Sequence, residues 1–222
     1  MKHIPWVVVG LAFFALTARA DEKERKFTFT ESECGGLPAG WVAAKTGEGD
    51  GSVWKVVEDR TAPSKTGFVL AQTARGPRRL FNLCVVKDSS YKDVEIEVAF
   101  KANRGKIDQG GGVVWRYQDA NNYYIARMNP LERNYRVYKV VEGKRKRLAT
   151  QEDLNVPAGQ WHTIKIKHCG DHIRCYLDGK KYLDVRDSTF TEAGRVGLWT
   201  KADAQTSFDE FEVEEEEGED QD

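Results

Sequence analysis

The sequence predicts an all-β protein built as a sandwich of two antiparallel sheets. Roughly a dozen short runs rich in Val, Ile, Phe, Tyr and Trp follow one another at intervals of about 8–12 residues, separated by Gly, Asn and Asp. No stretch has the apolar period of an amphipathic helix. No repeat of fixed length is visible, which argues against a propeller or a solenoid.

The first twenty residues have the pattern of a secretory signal peptide. An apolar run from Ile4 to Leu16 precedes the small-residue cleavage site Ala18-Arg19-Ala20. The run is too short to span a bilayer comfortably, although an uncleaved anchor is the alternative. We therefore expect a secreted or periplasmic protein, cleaved near Ala20, with no membrane contact afterwards.

The remaining chain divides into a charged segment (21–26), one domain (27–213) and an acidic tail (214–222) that we expect to be disordered. The chain has 34 basic and 35 acidic residues; removing the two basic residues of the signal and the seven acidic residues of the tail leaves residues 21–213 at +4. This mild charge lacks the concentrated basic stripe of a nucleic-acid-binding domain. The oligomeric state is left open.

The four cysteines, Cys34, Cys84, Cys169 and Cys175, allow three complete disulfide pairings. A two-residue turn at Gly170-Asp171 would place Cys169 and Cys175 on opposite faces of a hairpin, so we expect no bond between them and a buried, hydrophobic Cys175. No two histidines share metal-ligand spacing on one strand face, and no zinc site is expected.

The stretch Gly110 to Met128 predicts a central β-hairpin with Asp119 to Asn122 as a four-residue loop. Because side chains alternate along a strand, this register defines two faces. The uncharged face, expected in the core, carries Val113, Trp115, Tyr117, Tyr124, Ala126 and Met128. The opposite face carries Val114, Arg116, Gln118, Tyr123, Ile125 and Arg127.

The second face of this hairpin provides the candidate ligand site. Sugars offer apolar C–H faces to aromatic rings and hydroxyls to guanidinium and amide groups, so Arg116, Gln118, Tyr123 and Arg127 form a candidate carbohydrate-binding cluster. The alternative is that both arginines are solvated, with their stems on the sheet. The basic run Lys144 to Arg147 is interpreted as a solvated turn.

Carboxylates are weaker candidates. Tyr91 to Ala102 alternates as a half-buried strand, with Glu95 and Glu97 on its polar face, where they could serve acid–base chemistry or solubility alone. Asp209, in the last strand, is a weak calcium candidate. We expect no resident cofactor, with calcium as the alternative.

Three stretches together resemble a known family: GGGVVWRYQDANNYYIAR, WHTIKIKHCGDHIRCYLDGK and GRVGLWTKADAQTSFDEFEV. The chain is similar, over about 27–213, to the 3-keto-disaccharide hydrolase domains, formerly a domain of unknown function and sometimes labelled family 16 glycoside hydrolases. These resemble concanavalin A-like lectins and glucanases and laminin G domains. The resemblance implies a jelly roll of two curved sheets whose concave face holds a glycan.

One departure bears on activity. The related glucanases carry an E-x-D-x-x-E strand, whereas the nearest stretch here, Glu95 to Phe100, lacks the central Asp and the last Glu, so retaining hydrolysis through that motif is not supported. We expect an exported carbohydrate-active domain that binds, and by resemblance hydrolyses, a small glycoside. Whether it is an enzyme is left open. The alternatives are a non-catalytic, lectin-like glycan-binding module and a laminin G-like protein-interaction sandwich.

Overall fold

The computed structural model of the chain describes residues 24–216. They form one short 3₁₀ turn (Glu31–Glu33) and fifteen β-strands. The strands are β1 (Glu24–Phe27), β2 (Trp41–Thr46), β3 (Trp54–Glu58), β4 (Phe68–Gln72), β5 (Phe81–Val86), β6 (Val94–Arg104), β7 (Gly111–Asp119), β8 (Asn122–Asn129), β9 (Asn134–Val141), β10 (Lys144–Gln151), β11 (Trp161–Cys169), β12 (His172–Leu177), β13 (Lys180–Arg186), β14 (Arg195–Lys201) and β15 (Gln205–Glu215). No helix within this range is long and apolar enough to cross a membrane.

The strands form two sheets. The eight-stranded sheet has the order β13-β12-β11-β6-β15-β4-β3, with β1 paired to the C-terminal half of β15. The seven-stranded sheet has the order β10-β9-β8-β7-β14-β5-β2. Every strand pair is antiparallel, which confirms the predicted all-β sandwich.

The main core lies between the inner faces of the two sheets. In β6 the apolar side of the alternation, Val94, Ile96, Val98 and Phe100, is fully buried there, as the pattern predicts. The β11–β12 hairpin also has the predicted register, with His168 opposite Ile173. Local alternation therefore determines the inward faces of these strands, because one face of each is covered by the opposite sheet.

The structure places Cys169 and Cys175 on opposite faces of their hairpin, as the sequence predicts. All four cysteines are free thiols. Cys175 is fully buried in the core, whereas Cys169 lies on the partly exposed face of β11. Their separation across the hairpin explains why they do not bond.

The register predicted for the central hairpin is wrong. The turn is Ala120-Asn121, and Trp115 pairs with Tyr124 instead of Ala126. The strand β7 has a bulge after Trp115, centred on Arg116, which has φ +42°. The bulge absorbs the extra residues of β7 and turns Tyr117 away from the core to the outer face.

Gly194 of the neighbouring segment accommodates this bulge. A Cβ atom there would lie 2.5 Å from the carbonyl carbon of Arg116, closer than Cβ atoms approach other non-bonded atoms in folded proteins. The sharp local turn of β7 is therefore matched by a residue without a side chain.

The folded region extends past both predicted domain boundaries. β1 begins at Glu24, and β15 runs to Glu215. Glu216 then forms ion pairs with Lys167 and Arg174. The first three residues of the predicted tail therefore belong to the ordered domain, because Glu214 and Glu215 pair with β6 and basic side chains on β11 and β12 hold Glu216. The predicted signal peptide, residues 21–23 and residues 217–222 lie outside the described residues.

Candidate functional site

The outer face of the seven-stranded sheet carries a second apolar cluster, separate from the core between the sheets. Its buried members come from five strands: Phe81, Leu83, Val85, Val114, Tyr117, Tyr123, Ile125, Tyr138, Val140 and Trp199. An outer face normally faces water and is polar. A large buried aromatic layer on such a face indicates that something covers it.

The sheet covers this aromatic layer itself, because it curves and brings distant strands together across its outer face. Strand β10 is five positions from β5 in the sheet order, which on a flat sheet would separate them by about 24 Å. The guanidinium carbon of Arg145, on β10, nevertheless lies 5.2 Å from the ring centroid of Phe81, on β5. Similarly, the hydroxyl of Tyr123 on β8 bonds to that of Thr46 on β2 at 2.5 Å. The outer face of this sheet is therefore strongly concave.

Arg145 lies across the aromatic layer on the concave face. Its guanidinium carbon is 4.3 Å from the ring centroid of Tyr138 and 5.8 Å from that of Trp199, within the range of cation–π contact. Nη1 is buried, and within residues 24–216 the guanidinium has no hydrogen bond or ion pair. Burial lowers the pKa of Arg145, opposed in part by Tyr138. A cation with unused donors is therefore held over three rings.

Arg127 supplies a second buried guanidinium. Its Nη1 donates to Asn134 Oδ1 at 2.6 Å, and its Nη2 donates to Glu132 Oε2 at 2.8 Å and to the Tyr138 hydroxyl at 3.2 Å. Only 2% of the residue is exposed, and Nε is buried without a partner among the described residues. The sequence correctly selects this arginine as facing away from the core.

Tyr138 is surrounded by three arginines. Arg136 Nη1 lies 3.4 Å from its hydroxyl, in addition to Arg127 at the hydroxyl and Arg145 over the ring. Burial alone would raise the pKa of Tyr138, but the three guanidinium groups outweigh it and hold that pKa below its ordinary value. We call Phe81, Arg127, Arg136, Tyr138, Arg145 and Trp199 together the cationic–aromatic patch.

A polar margin borders this patch. Asp108, in the β6–β7 loop, accepts from Asn129 Nδ2 at 2.9 Å and pairs with Lys201 Nζ at 2.6 Å. Glu132 lies on another side, and the pull of Arg127 and Arg136 on its charge exceeds the effect of burial and lowers its pKa. Glu132 is therefore held in its charged form and partly balances the arginines.

Arg116 does not lie with these residues. Its side chain is 1% exposed and donates to the carbonyl oxygens of Lys92 at 2.7 Å, Phe190 at 2.6 Å and Gly170 at 2.9 Å. Nη2 also contacts Asp93 at 3.3 Å. The prediction that it projects from the same face as Arg127 is wrong, because the bulge turns it toward three loops that it holds together.

The other two predicted ligand residues, Gln118 and Tyr123, also lie outside the cationic–aromatic patch. The Gln118 side chain is exposed at the edge and donates to the carbonyl oxygens of Glu192 and Ala193. Tyr123 lies on the concave face but is fully buried within the aromatic layer, and burial raises its pKa. Of the four predicted residues, only Arg127 belongs to the cationic–aromatic patch.

Glu95 and Glu97 lie on the opposite side of the molecule, on the outer face of the eight-stranded sheet. Glu95 forms ion pairs with Lys165 and Lys167, and Glu97 pairs with Lys165 at 2.7 Å. Burial would raise the pKa of Glu95, but the two lysines lower it overall. A carboxylate held ionised in this way is poorly suited to donate a proton.

Asp209, the weak calcium candidate, is fully buried. Its Oδ2 accepts from the backbone amide of Ser64 at 2.9 Å, and its Oδ1 has no partner within the described range. Residues 24–216 contain no group of three His, Cys, Asp or Glu side chains placed to hold a metal ion.

Sequence reasoning missed Arg145, Arg136, Tyr138 and the position of Trp199. The β9–β10 turn is the two residues Glu142-Gly143, so the basic run belongs to a strand instead of a solvated turn. Placing Gly143 at the turn would have paired Arg145 with Val140 and assigned both to one face. The proximity of β10 to β5 and β14 had no local signal, because it arises from the curvature of the whole sheet.

Solved structures with the same fold include proteins whose descriptions mention carbohydrates. The carbohydrate-binding module CBM66 from Bacillus subtilis is 20% identical, with a TM-score of 0.63 over 79% of this chain and 95% of that one. Domain 4 of AbnA, a GH43 extracellular arabinanase from Geobacillus stearothermophilus in complex with arabinotriose, is 12% identical, with a TM-score of 0.53 over 78% and 82%. The exoplasmic/lumenal domain of VIP36, in its Ca²⁺/Man3GlcNAc-bound form, is 11% identical, with a TM-score of 0.54 over 81% and 85%.

At these identities the likeness concerns the fold. No curated protein matches the chain. A match to a protein family is more specific: it covers residues 35–214, from the turn before β2 to the last strand, and so includes both sheets. By this match the chain belongs to the family of 3-keto-alpha-glucoside-1,2-lyase-like domains.

Proposed function

We propose that this domain binds a carbohydrate at the cationic–aromatic patch on the concave face of the seven-stranded sheet. The observation that carries the proposal is the position of Arg145, whose guanidinium lies over three rings without a hydrogen bond or ion pair within the described part of the chain. Family membership and the fold shared with CBM66 support the choice of ligand class.

The chemistry of the patch suits a sugar. An aromatic ring offers a face to the C–H groups of a pyranose, and guanidinium N–H groups donate to hydroxyl oxygens. Arg145 now covers the rings, so a ligand would move this side chain aside and use its free donors. The buried Nε of Arg127, which also lacks a partner in residues 24–216, provides another donor for an incoming hydroxyl or ketone oxygen.

The test is binding of a panel of mono- and disaccharides, each with its 3-keto form, to the purified protein by calorimetry. We expect Arg145→Gln to weaken binding about tenfold, as the loss of one charge-assisted hydrogen bond predicts. The matched control is Lys146→Gln, the adjacent residue on the same strand, which removes one charge on the other face. If Arg145→Gln and Lys146→Gln bind the saccharides with equal affinity, the patch is excluded as the binding site.

A second candidate function, cleavage of a 3-keto-glucoside, is favoured by Tyr138. A ketone at C3 acidifies the proton at C2. A base takes this proton, the C1=C2 double bond forms as the C1–O bond to the leaving group breaks, and the leaving oxygen then accepts the proton from the base. A positive group is needed to stabilise the enolate oxygen that develops at C3. A tyrosine with a lowered pKa between three guanidinium groups has both properties. Glu95 and Glu97, the weak catalytic candidates, have no part in this proposal, since lysines form ion pairs with both.

Tyr138→Phe distinguishes the two functions. This variant keeps the ring under Arg145 and removes only the hydroxyl. If the protein is an enzyme, we expect binding within about threefold of wild type and product formation reduced at least a hundredfold, in the range of one general base. Saturable binding with no product from either protein would leave the domain as a non-catalytic binding module. Export remains a prediction from the sequence.

A further inference from the structure

A second pocket, distinct from the cationic–aromatic patch, lies at one end of the sandwich where three connections meet. These are the β4–β5 connection, the β6–β7 loop and the β14–β15 turn. The pocket has a volume of about 370 Å³ and is lined by Arg75, Arg104, Gly105, Lys106, Gln109, Asp203 and Gln205. This is enough room for a small molecule or for one substituent of a larger one.

The lining is strongly cationic, and its cations are unpaired. Arg75, Arg104 and Lys106 are exposed, and none has an ion-pair or hydrogen-bond partner for its side chain within residues 24–216. Arginines without a partner also occur elsewhere on the described surface, as at Arg78 and Arg147, but here three such cations line one concavity. Three unpaired cations around one concavity repel one another unless an anion enters.

The one acidic residue of the lining does not neutralise them. Asp203 directs its carboxylate to the backbone, where it accepts from the amides of Lys106 at 2.8 Å, Ile107 at 3.0 Å and Asp108 at 3.0 Å. Burial would raise the pKa of Asp203, but these amides lower it overall. Its carboxylate therefore holds the β6–β7 loop, and its single negative charge leaves the three cations of the lining in excess.

The backbone around the pocket is firmly positioned. Gly105 has φ +152°, and a Cβ atom there would lie 1.8 Å from the carbonyl oxygen of Asp108, so no other residue fits the turn. Gln205 Nε2 donates to the carbonyl oxygen of Thr73 at 2.6 Å, and the amide of Gly76 donates to Ala202 at 3.1 Å. The three connections are thus joined, and the cationic side chains extend from a fixed frame.

From these observations we propose that the end pocket binds a small oxyanion, either a carboxylate or a sulfate or phosphate group, through Arg75, Arg104 and Lys106. Guanidinium groups match the planar, bidentate geometry of such anions. The pocket adjoins the polar margin of the patch through Asp108, which belongs to the same loop and contacts Lys201 on the concave face. The inference does not depend on carbohydrate binding at the patch.

The experiment is a titration of the full domain with sodium sulfate, glucuronate and glucose at constant ionic strength, followed by ¹⁵N NMR of the Arg75 and Arg104 side chains and the Gln109 amide. We expect saturable shifts with sulfate and glucuronate and none with glucose. Arg104→Gln should raise the Kd about tenfold, and Arg75→Gln combined with it should abolish saturation. Both residues are exposed, so the variants should fold.

The matched control is Arg60→Gln, which removes another exposed arginine, on the β3–β4 connection, and should leave the Kd unchanged. Binding of only one of the two oxyanions supports the site and narrows its ligand. Linear shifts without saturation, equal weakening in Arg104→Gln and Arg60→Gln, or the same shifts with glucose would each overturn the assignment. Loss of sugar binding at the patch with oxyanion binding retained would contradict only the function proposed above.

Discussion

His168 should make the stability of this domain depend on pH in a predictable way. The ring is fully buried in the core, where its Nδ1 accepts from the indole Nε1 of Trp115 at 2.8 Å. Its Nε2 is buried and has no partner in residues 24–216. Burial, reinforced by the nearby guanidinium of Arg116, lowers the pKa of His168 from 6.5 to about 3. The folded protein therefore keeps this histidine neutral at mildly acidic pH.

The sign of the effect follows from linkage. Below pH 6.5 the unfolded chain binds a proton at His168, whereas the folded protein does not bind it until about pH 3. The free energy of unfolding therefore decreases as the pH falls through this interval. At pH 5 the loss amounts to about 1.5 pH units at 1.36 kcal/mol each, or about 2 kcal/mol relative to neutral pH. This is a substantial share of the stability of an ordinary domain.

The perturbation is His168→Gln, which retains an acceptor for Trp115 but does not titrate. Urea unfolding at pH 7.5 and pH 5.0, followed by tryptophan fluorescence, gives the free energy of unfolding of each protein. We expect the wild type to lose about 2 kcal/mol more than the variant between the two pH values. Ring ¹⁵N shifts should report a neutral His168 in the folded wild type at pH 5. An identical pH dependence in both proteins would refute the reasoning.

Three further outcomes are expected. Arg116→Lys should lower the free energy of unfolding by about 3 kcal/mol, because a single ammonium nitrogen cannot reach three carbonyls that are bonded by three separate guanidinium nitrogens. Arg60→Lys at the surface should change it by less than about 0.5 kcal/mol, and equal effects would contradict the assigned role. Cys34, which is exposed, should react with a thiol reagent in the native state, whereas Cys84, whose pKa burial raises, should react only after unfolding. The pKa of Tyr138 should lie below its ordinary value of 10, so the contribution of Tyr138 to stability should grow as the pH rises toward 10. Ionisation of this phenol is measured as the ultraviolet difference between the wild type and Tyr138→Phe during a pH titration. A phenol that titrates above pH 10 would contradict the effect of the three arginines.

Much of the fold could be predicted from local sequence. The alternation in β6 and the Gly170-Asp171 turn between β11 and β12 determine which side chains face inward, because a strand with one covered face permits only one register. The assignment of Arg127 to the face opposite the core depends on the same alternation. These features depend on neighbours within a few residues, which the sequence displays directly.

The central hairpin marks where this reasoning stops. A bulge adds residues to one strand without any change in the apolar pattern before it, so the alternation beyond Trp115 could not reveal that Arg116 and Tyr117 had changed direction. The bulge forms where Gly194, far away in the chain, leaves room for it. Its position is consequently a property of the assembled sheet.

By itself, then, the sequence determined the all-β sandwich, the inward faces of its regular strands and the likeness to one family. Only the tertiary structure decided that Arg145 meets Phe81 and Trp199, because those residues lie on strands up to five positions apart and touch only when the sheet curves. Local periodicity specifies faces, whereas curvature and bulges arise from long-range strand pairing. The candidate site depends on this curvature and these bulges, and so on long-range strand pairing.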